Sequence, residues 1–181
     1  MTATILTLPH YFPGVFVFRV CLSVILLIAL LCLSQKMYKK AIVDKVQRNT
    51  MMVLFSYVIM MLYYTVIGRY SQSYYRYDGE IFSVFKSLWE NFTIAEFSQL
   101  VINLLMMIPV SFMLMIILRC KHRVLWTLDI TLAYILFIEL LQFFTRAGTL
   151  QLDDIITNTI GGVFGILLYY FIKAINKKAK E

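Results

Sequence analysis

The chain has 181 residues, of which 61% are hydrophobic and only 15% charged, well above the roughly 45–50% apolar content of soluble domains. That composition excludes a separate soluble domain and leaves a single membrane domain spanning 1–181. The formal net charge of +7 is scattered in short clusters between apolar runs, a pattern suited to an anionic membrane surface and not to nucleic acid, whose binders gather basic residues on one face.

Five segments, about 14–34, 51–67, 100–118, 124–144 and 155–172, approach the roughly 17–25 residues that cross a bilayer as a helix. The expected fold is therefore an all-α integral membrane protein of five transmembrane helices. The first apolar run has no basic region before it and is too long for a signal-peptide core, so a cleaved leader is not expected. No repeat of the span pattern is visible, which argues against an inverted-repeat transporter.

Orientation follows from the basic residues. Lys36, Lys39, Lys40, Lys45, Arg48, Arg119, Lys121, Arg123, Lys173, Lys177, Lys178 and Lys180 fall on one side, against Arg69, Arg76, Lys86 and Arg146 on the other. The positive-inside rule then places the N-terminus outside and the C-terminus in the cytoplasm. In the outer 68–99 loop, GRYSQSYYRYDGE is rich in tyrosine, suited to the headgroup layer. It is followed by IFSVFKSLWENF, where Ile81, Phe82, Phe85, Leu88, Trp89 and Phe92 recur at helical spacing opposite Glu80, Lys86 and Glu90. This predicts a short helix lying on the outer leaflet; an ordinary capping helix on the bundle is the alternative.

Polarity inside the spans is concentrated at outer depth. Arg19 lies in the first span, Arg69 at the mouth of the second, Asn103 in the third, Glu139 in the fourth and Asn158 in the fifth. Glu139, Gln142 and Arg146 share about 60° of arc if their helix continues that far. Asp154, Asn158, Gly161 and Gly165 form a similar stripe, and Gly161 and Gly165, with Gly162 beside them, have small-xxx-small spacing, which permits close helix approach. A charge at the centre of a membrane helix costs about 2.5–3.5 kcal/mol on insertion scales, against about 0.3–0.6 gained per leucine. Glu139 therefore requires a partner such as Arg146, Arg69 or Arg19, or a hydrated cavity. Pro109 predicts a kink in the third span, with the carbonyl of residue 105 released. Asp129, near the cytoplasmic end of the fourth span, is expected to pair with Arg123.

Other features have plain readings. The methionines fall largely in spans and read as core filler. Cys21, Cys32 and Cys120 show neither CxxC nor His spacing, so no metal site and no disulfide framework is expected. His10 and His122 lack partners at catalytic spacing, and the tail AINKKAKE is suited to anionic lipid. No cofactor is expected.

The run IELLQFF, then Arg146, then LDDIITNTIGGVFG, preceded by NLLMMIPVSFML with Asn103 and Pro109, and by YYTVIGR ending at Arg69, resembles the VanZ-like family of bacterial membrane proteins over residues 60–172. The resemblance implies a multi-pass protein of the bacterial cytoplasmic membrane, associated with resistance to glycopeptide antibiotics, chiefly the lipid-tailed teicoplanin type. The sequence departs from the family pattern at Gln151, where an Asp is common, and at Ser111, where a Gly is usual. The first leaves Asp153 to stand in for a second carboxylate.

Three functions are open. The favoured one is an outward-opening pocket recognising the headgroup of an amphiphile, either a lipid-linked cell-wall (peptidoglycan) precursor or the lipoglycopeptide itself. Arg19, Arg69 and Arg146 would donate hydrogen bonds to a phosphate or carboxylate, with Glu139 and Asp154 orienting them and contacting amines or hydroxyls, Asp153 as the substitute carboxylate, and Asn103, Gln142 and Asn158 as neutral partners. A membrane enzyme would instead use Glu139 or Asp154 as general base on a lipid-linked precursor. Transport lacks a continuous polar path. Against all three stands simple cross-helix pairing of buried polar groups. Membrane lipids are expected partners in any case.

Overall fold

The computed structural model describes residues 13–67, 69 and 74–179, with side chains from Val20 onward. Five helices are long and apolar enough to cross a membrane. They are α1 (Pro13–Lys39), α2 (Lys45–Leu62, continued by a π-helical turn Tyr63–Ile67), α4 (Ile94–Ile117), α5 (Arg123–Phe144) and α6 (Leu152–Lys178), with the short α3 (Ser83–Glu90) between α2 and α4. The chain is thus an all-α membrane protein with five candidate spans. α1 and α6 run past their apolar segments to Lys39 and Lys178, because long lysines snorkel and favour the negative end of the helix dipole. α4 starts six residues before its apolar core, capped by Thr93, whose hydroxyl accepts the Glu96 amide at 3.3 Å.

The basic end is stitched together locally. Asp44 caps α2 in a reciprocal box with Gln47, at 2.8 and 3.1 Å. Gln47 also donates to the Ile117 carbonyl at 2.8 Å, and Arg119 pairs with Asp44 at 2.6 Å. The loops that the charge count assigned to one side therefore meet at one end of the bundle. Arg123 turns to the Tyr169 hydroxyl (3.0 Å) and stacks on the Tyr169 and Tyr170 rings. The expected pairing with Asp129 is not made, and Asp129 stays exposed.

At the other end the chain forms a feature that no periodicity announced. β1 (Arg76–Asp78) and β2 (Thr149–Gln151) pair in parallel, Arg76 opposite Thr149 and Asp78 opposite Gln151, tying the 68–99 loop to the start of α6. α3 buries none of its residues, and Ile81, Phe82, Phe85, Trp89 and Phe92 are all exposed, Trp89 by 91%. This is the profile of an interfacial helix.

α6 packs most extensively on α4. A Cβ placed on Gly161 would strike the Leu104 carbonyl, and one on Gly165 the Ile108 carbonyl, so these two glycines allow backbone-to-backbone contact. Gly162 faces α5 and α4 side chains instead, with Thr131 Cγ2 and Ser111 Oγ at 3.0 and 3.1 Å from such a Cβ. Ser111, where the resembled family has glycine, bonds Thr131 Oγ1 at 2.9 Å. Pro109 lies inside α4 and offers no N–H to carbonyl 105, while the adjacent Met106 carbonyl accepts the Tyr57 hydroxyl at 3.0 Å. The core joins Leu54, Met61, Met107, Val110, Met113, Leu114, Ile135 and Ile138.

Candidate functional site

α6 opens directly after β2, so Asp153 and Asp154 share its first turn, where the positive end of the helix dipole favours carboxylates. Their side chains separate. Asp153, 2% exposed, accepts from the Phe82 and Val84 amides at 2.6 and 2.8 Å and from the Ser83 hydroxyl at 3.3 Å, anchoring the start of α3. Asp154 turns into the bundle and accepts from Asn103 Nδ2 at 2.7 Å and Gln99 Nε2 at 3.1 Å. Gln99 also reaches the Gln151 side-chain oxygen at 3.2 Å, so Gln151 acts as an acceptor for an α4 amide. With its oxygens committed to α3, Asp153 borders a smaller cavity of about 60 Å³ and Asp154 lines the larger one.

α5 delivers Glu139 and Gln142, 3% and 7% exposed. The helix then stops at Phe144, and the arc that would have included Arg146 is broken. Arg146 adopts φ 55° while its amide bonds the Phe143 carbonyl and the Ala147 amide bonds the Gln142 carbonyl, the hydrogen-bond pattern of a Schellman cap. A left-handed conformation costs a non-glycine residue roughly 1–2 kcal/mol. The Arg146 guanidinium, 4.6 Å over the Tyr75 ring, offsets part of that, since such contacts contribute about 0.5–1 kcal/mol at exposed sites. Arg146 thus lies against the 68–99 loop and not on the cavity wall.

The polar layer encloses a cavity of about 200 Å³. Met107, Ile135 and Ile138 form its apolar floor; Asn103, Glu139, Gln142, Asp154 and Asn158 form the walls; Arg69, Tyr64, Ala95, Gln99 and Ile102 stand at the mouth and are exposed. Four elements contribute: the π-turn after α2, α4, α5 and α6. Gly148 packs beside the mouth, where a Cβ would lie 3.0 Å from Gln142 Oε1 and 3.4 Å from Arg69 Nη1, both ends of side chains that can shift. Among the described residues, Glu139 Oε2 and Asn158 Oδ1 are buried without a hydrogen-bond partner, which is rare for buried polar atoms and points to a ligand or solvent role. Neither Glu139 nor Asp154 lies within 4 Å of a described cation. Of the residues expected from sequence, Arg69, Asn103, Glu139, Gln142, Asp154 and Asn158 are brought together. The Arg19 side chain lies outside the described residues.

Sequence reasoning missed Gln99, Ser98, Tyr64, Thr65 and Gly148. Gln99 is four residues from Asn103 and would have been found had α4 been extended through its polar first turn. Tyr64 and Thr65 reach the cavity from the π-turn, a distortion often found at functional sites but without a sequence signature.

No curated protein and no solved structure matches the chain. The family described as VanZ/LLP1 matches residues 20–173, a stretch that begins well before residue 60, includes α2 and reaches all five candidate spans. With that match across most of its length, the chain belongs to the VanZ/LLP1 family.

Proposed function

We propose that this protein works at the outer face of the bacterial cytoplasmic membrane, where its cavity binds the polar headgroup of an amphiphile and thereby protects against lipid-tailed glycopeptide antibiotics. The observation that carries the reading is the pair of buried acceptors without a partner among the described residues, Glu139 Oε2 and Asn158 Oδ1, on the wall of a cavity whose mouth is exposed. Cross-helix pairing alone would have satisfied them, because a buried group left unsatisfied costs about 1–3 kcal/mol.

Size selects among ligands. At about 200 Å³ the cavity is below the roughly 300–1,000 Å³ that encloses a drug-sized molecule, so it accepts a headgroup or one polar substituent and not a whole glycopeptide. Arg69 at the mouth is suited to a phosphate or carboxylate through its planar donors. The walls are suited to amines or hydroxyls. Protection follows if the cavity holds the lipid-linked cell-wall precursor that the antibiotic seeks, or a polar group of the antibiotic itself. The test is protection against a lipoglycopeptide in cells producing Glu139→Gln or Arg69→Ala at unchanged protein level. Loss of protection is expected; full protection by both variants overturns the reading.

Two buried carboxylates on one cavity also suit an enzyme that modifies a lipid-linked envelope precursor, with Glu139 or Asp154 as general base. Chemical conversion of a labelled precursor by the purified protein, abolished in Glu139→Gln, would replace binding by catalysis.

A further inference from the structure

The hydrogen-bonding capacity of the cavity is unbalanced. The amide nitrogens of Gln99 and Asn103 are already directed at Asp154, and Thr65 spends its hydroxyl proton on the Met61 carbonyl. Left over and shut off from solvent among the described residues are two acceptors, Glu139 Oε2 and Asn158 Oδ1, on residues 3% and 5% exposed, with the amide nitrogens of Gln142 and Asn158 the uncommitted donors beside them. The carboxyl groups lie deep and the guanidinium shallow, since Glu139 and Asp154 occupy the walls and Arg69 stands exposed at the mouth. A ligand that satisfies both ends carries several donors and a positive charge at its tip, with an anion behind it.

The mouth also has a side. Tyr64 on the π-turn is 60% exposed and Ile102 on α4 is 39% exposed. These are large side chains flanking the opening on two candidate spans, so the opening faces acyl chains as well as water. A headgroup can enter there while its tail remains in the bilayer.

We propose that the cavity selects a primary ammonium linked to an anionic group, with the ammonium against Glu139 and Asn158, the anion at Arg69, and the acyl tail leaving between Tyr64 and Ile102. This rests on the headgroup-binding reading and specifies its chemistry. Zwitterions of this kind are supplied by aminophospholipids of the outer leaflet or by an amine-bearing lipoglycopeptide, and the experiment separates them.

Purified full-length protein in detergent micelles is titrated with phosphatidylethanolamine, its N-acetylated form and phosphatidylglycerol, and in a second arm with a lipoglycopeptide bearing a free or an acetylated amine. In the arm that supplies the ligand, the free amine should bind at least about tenfold more tightly than its acetylated counterpart, and Glu139→Gln should erase that difference. Arg69→Gln, at the exposed mouth, should weaken phosphate-bearing lipids alike while preserving any preference for the amine. Equal binding of free and acetylated forms, or a preference that survives Glu139→Gln, overturns the inference. If the acetylated forms bind as well and both variants weaken them, the headgroup pocket stands and only the ammonium fails. If nothing binds and both variants still protect cells, both fall.

Discussion

Replacing Gly161 with alanine probes the contact that holds the two polar walls together. The added Cβ would meet three backbone atoms of Leu104: its carbonyl oxygen, the carbonyl carbon at 2.9 Å and the Cα at 3.2 Å. No rotamer change relieves a backbone clash, and ordinary carbon–oxygen approach is about 3.3–3.6 Å, so α4 must retreat by on the order of 1 Å. Overpacking of this kind costs about 1–3 kcal/mol. Asn103 neighbours Leu104, and its 2.7 Å bond to Asp154 stretches with the same movement, adding part of the about 1.5–3 kcal/mol attached to a charged hydrogen bond. A total of about 3 kcal/mol, at roughly 2–4 °C per kcal/mol for a chain of this size, lowers Tm by about 6–12 °C. Thermal unfolding in detergent measures it, with Gly162→Ala as control. There the Cβ meets only side-chain atoms of Thr131 and Ser111, at 3.0 and 3.1 Å, which can yield, so the loss should be less than half as large. A Gly161→Ala protein melting within about 2 °C of wild type, or above Gly162→Ala, refutes the backbone-contact argument.

Asp153→Asn should release the start of α3, because the carboxylate that accepts two amides and a hydroxyl loses its charge, at about 1–2 kcal/mol; hydrogen exchange of residues 82–90 should rise, and unchanged exchange would contradict the anchor. Arg146→Ala removes a stack on Tyr75 and not a cavity wall, so it should leave headgroup affinity within about threefold, whereas Arg69→Ala should lower it at least about tenfold; equal losses in a direct binding titration would contradict the division. At the basic end, the Gln47 amide and then Arg119 hold the Asp44 carboxyl below its ordinary value of 3.8. The ionised cap therefore stabilises α2 fully above that value and is lost as pH falls through the lower folded-state value. Exchange of the first α2 amides should rise only below about pH 4, and Asp44→Asn should remove the pH dependence.

The spans were legible because each contains an apolar run long enough to cross a bilayer, a signal that depends on local composition. Their ends were less so. Apolarity truncated α4 at residue 100 and hid Gln99, whose polar turn is helical because Thr93 caps it. The Glu139–Gln142 stripe survived folding because α5 remains regular through Phe144; Arg146 left it because the chain reverses in a left-handed residue at a position with no glycine to announce the turn. Asp153 and Asp154 could not be told apart by sequence, since their roles depend on α3, which is brought close by a three-residue parallel pairing between segments distant in the chain. Such short pairings carry no periodicity to read.

The central claim is a wet cavity open to the outer side, and thiol accessibility tests it most directly. In a protein whose Cys21, Cys32 and Cys120 are replaced by alanine, Gln142→Cys lies on the cavity wall, whereas Leu140→Cys, at a position 46% exposed and close by on α5, lies on the outside of the bundle within an apolar span. A membrane-impermeant maleimide added outside intact cells should label the first and spare the second. Labelling of neither, or labelling of Gln142→Cys only after the cytoplasmic side is opened, would contradict the outward-facing pocket.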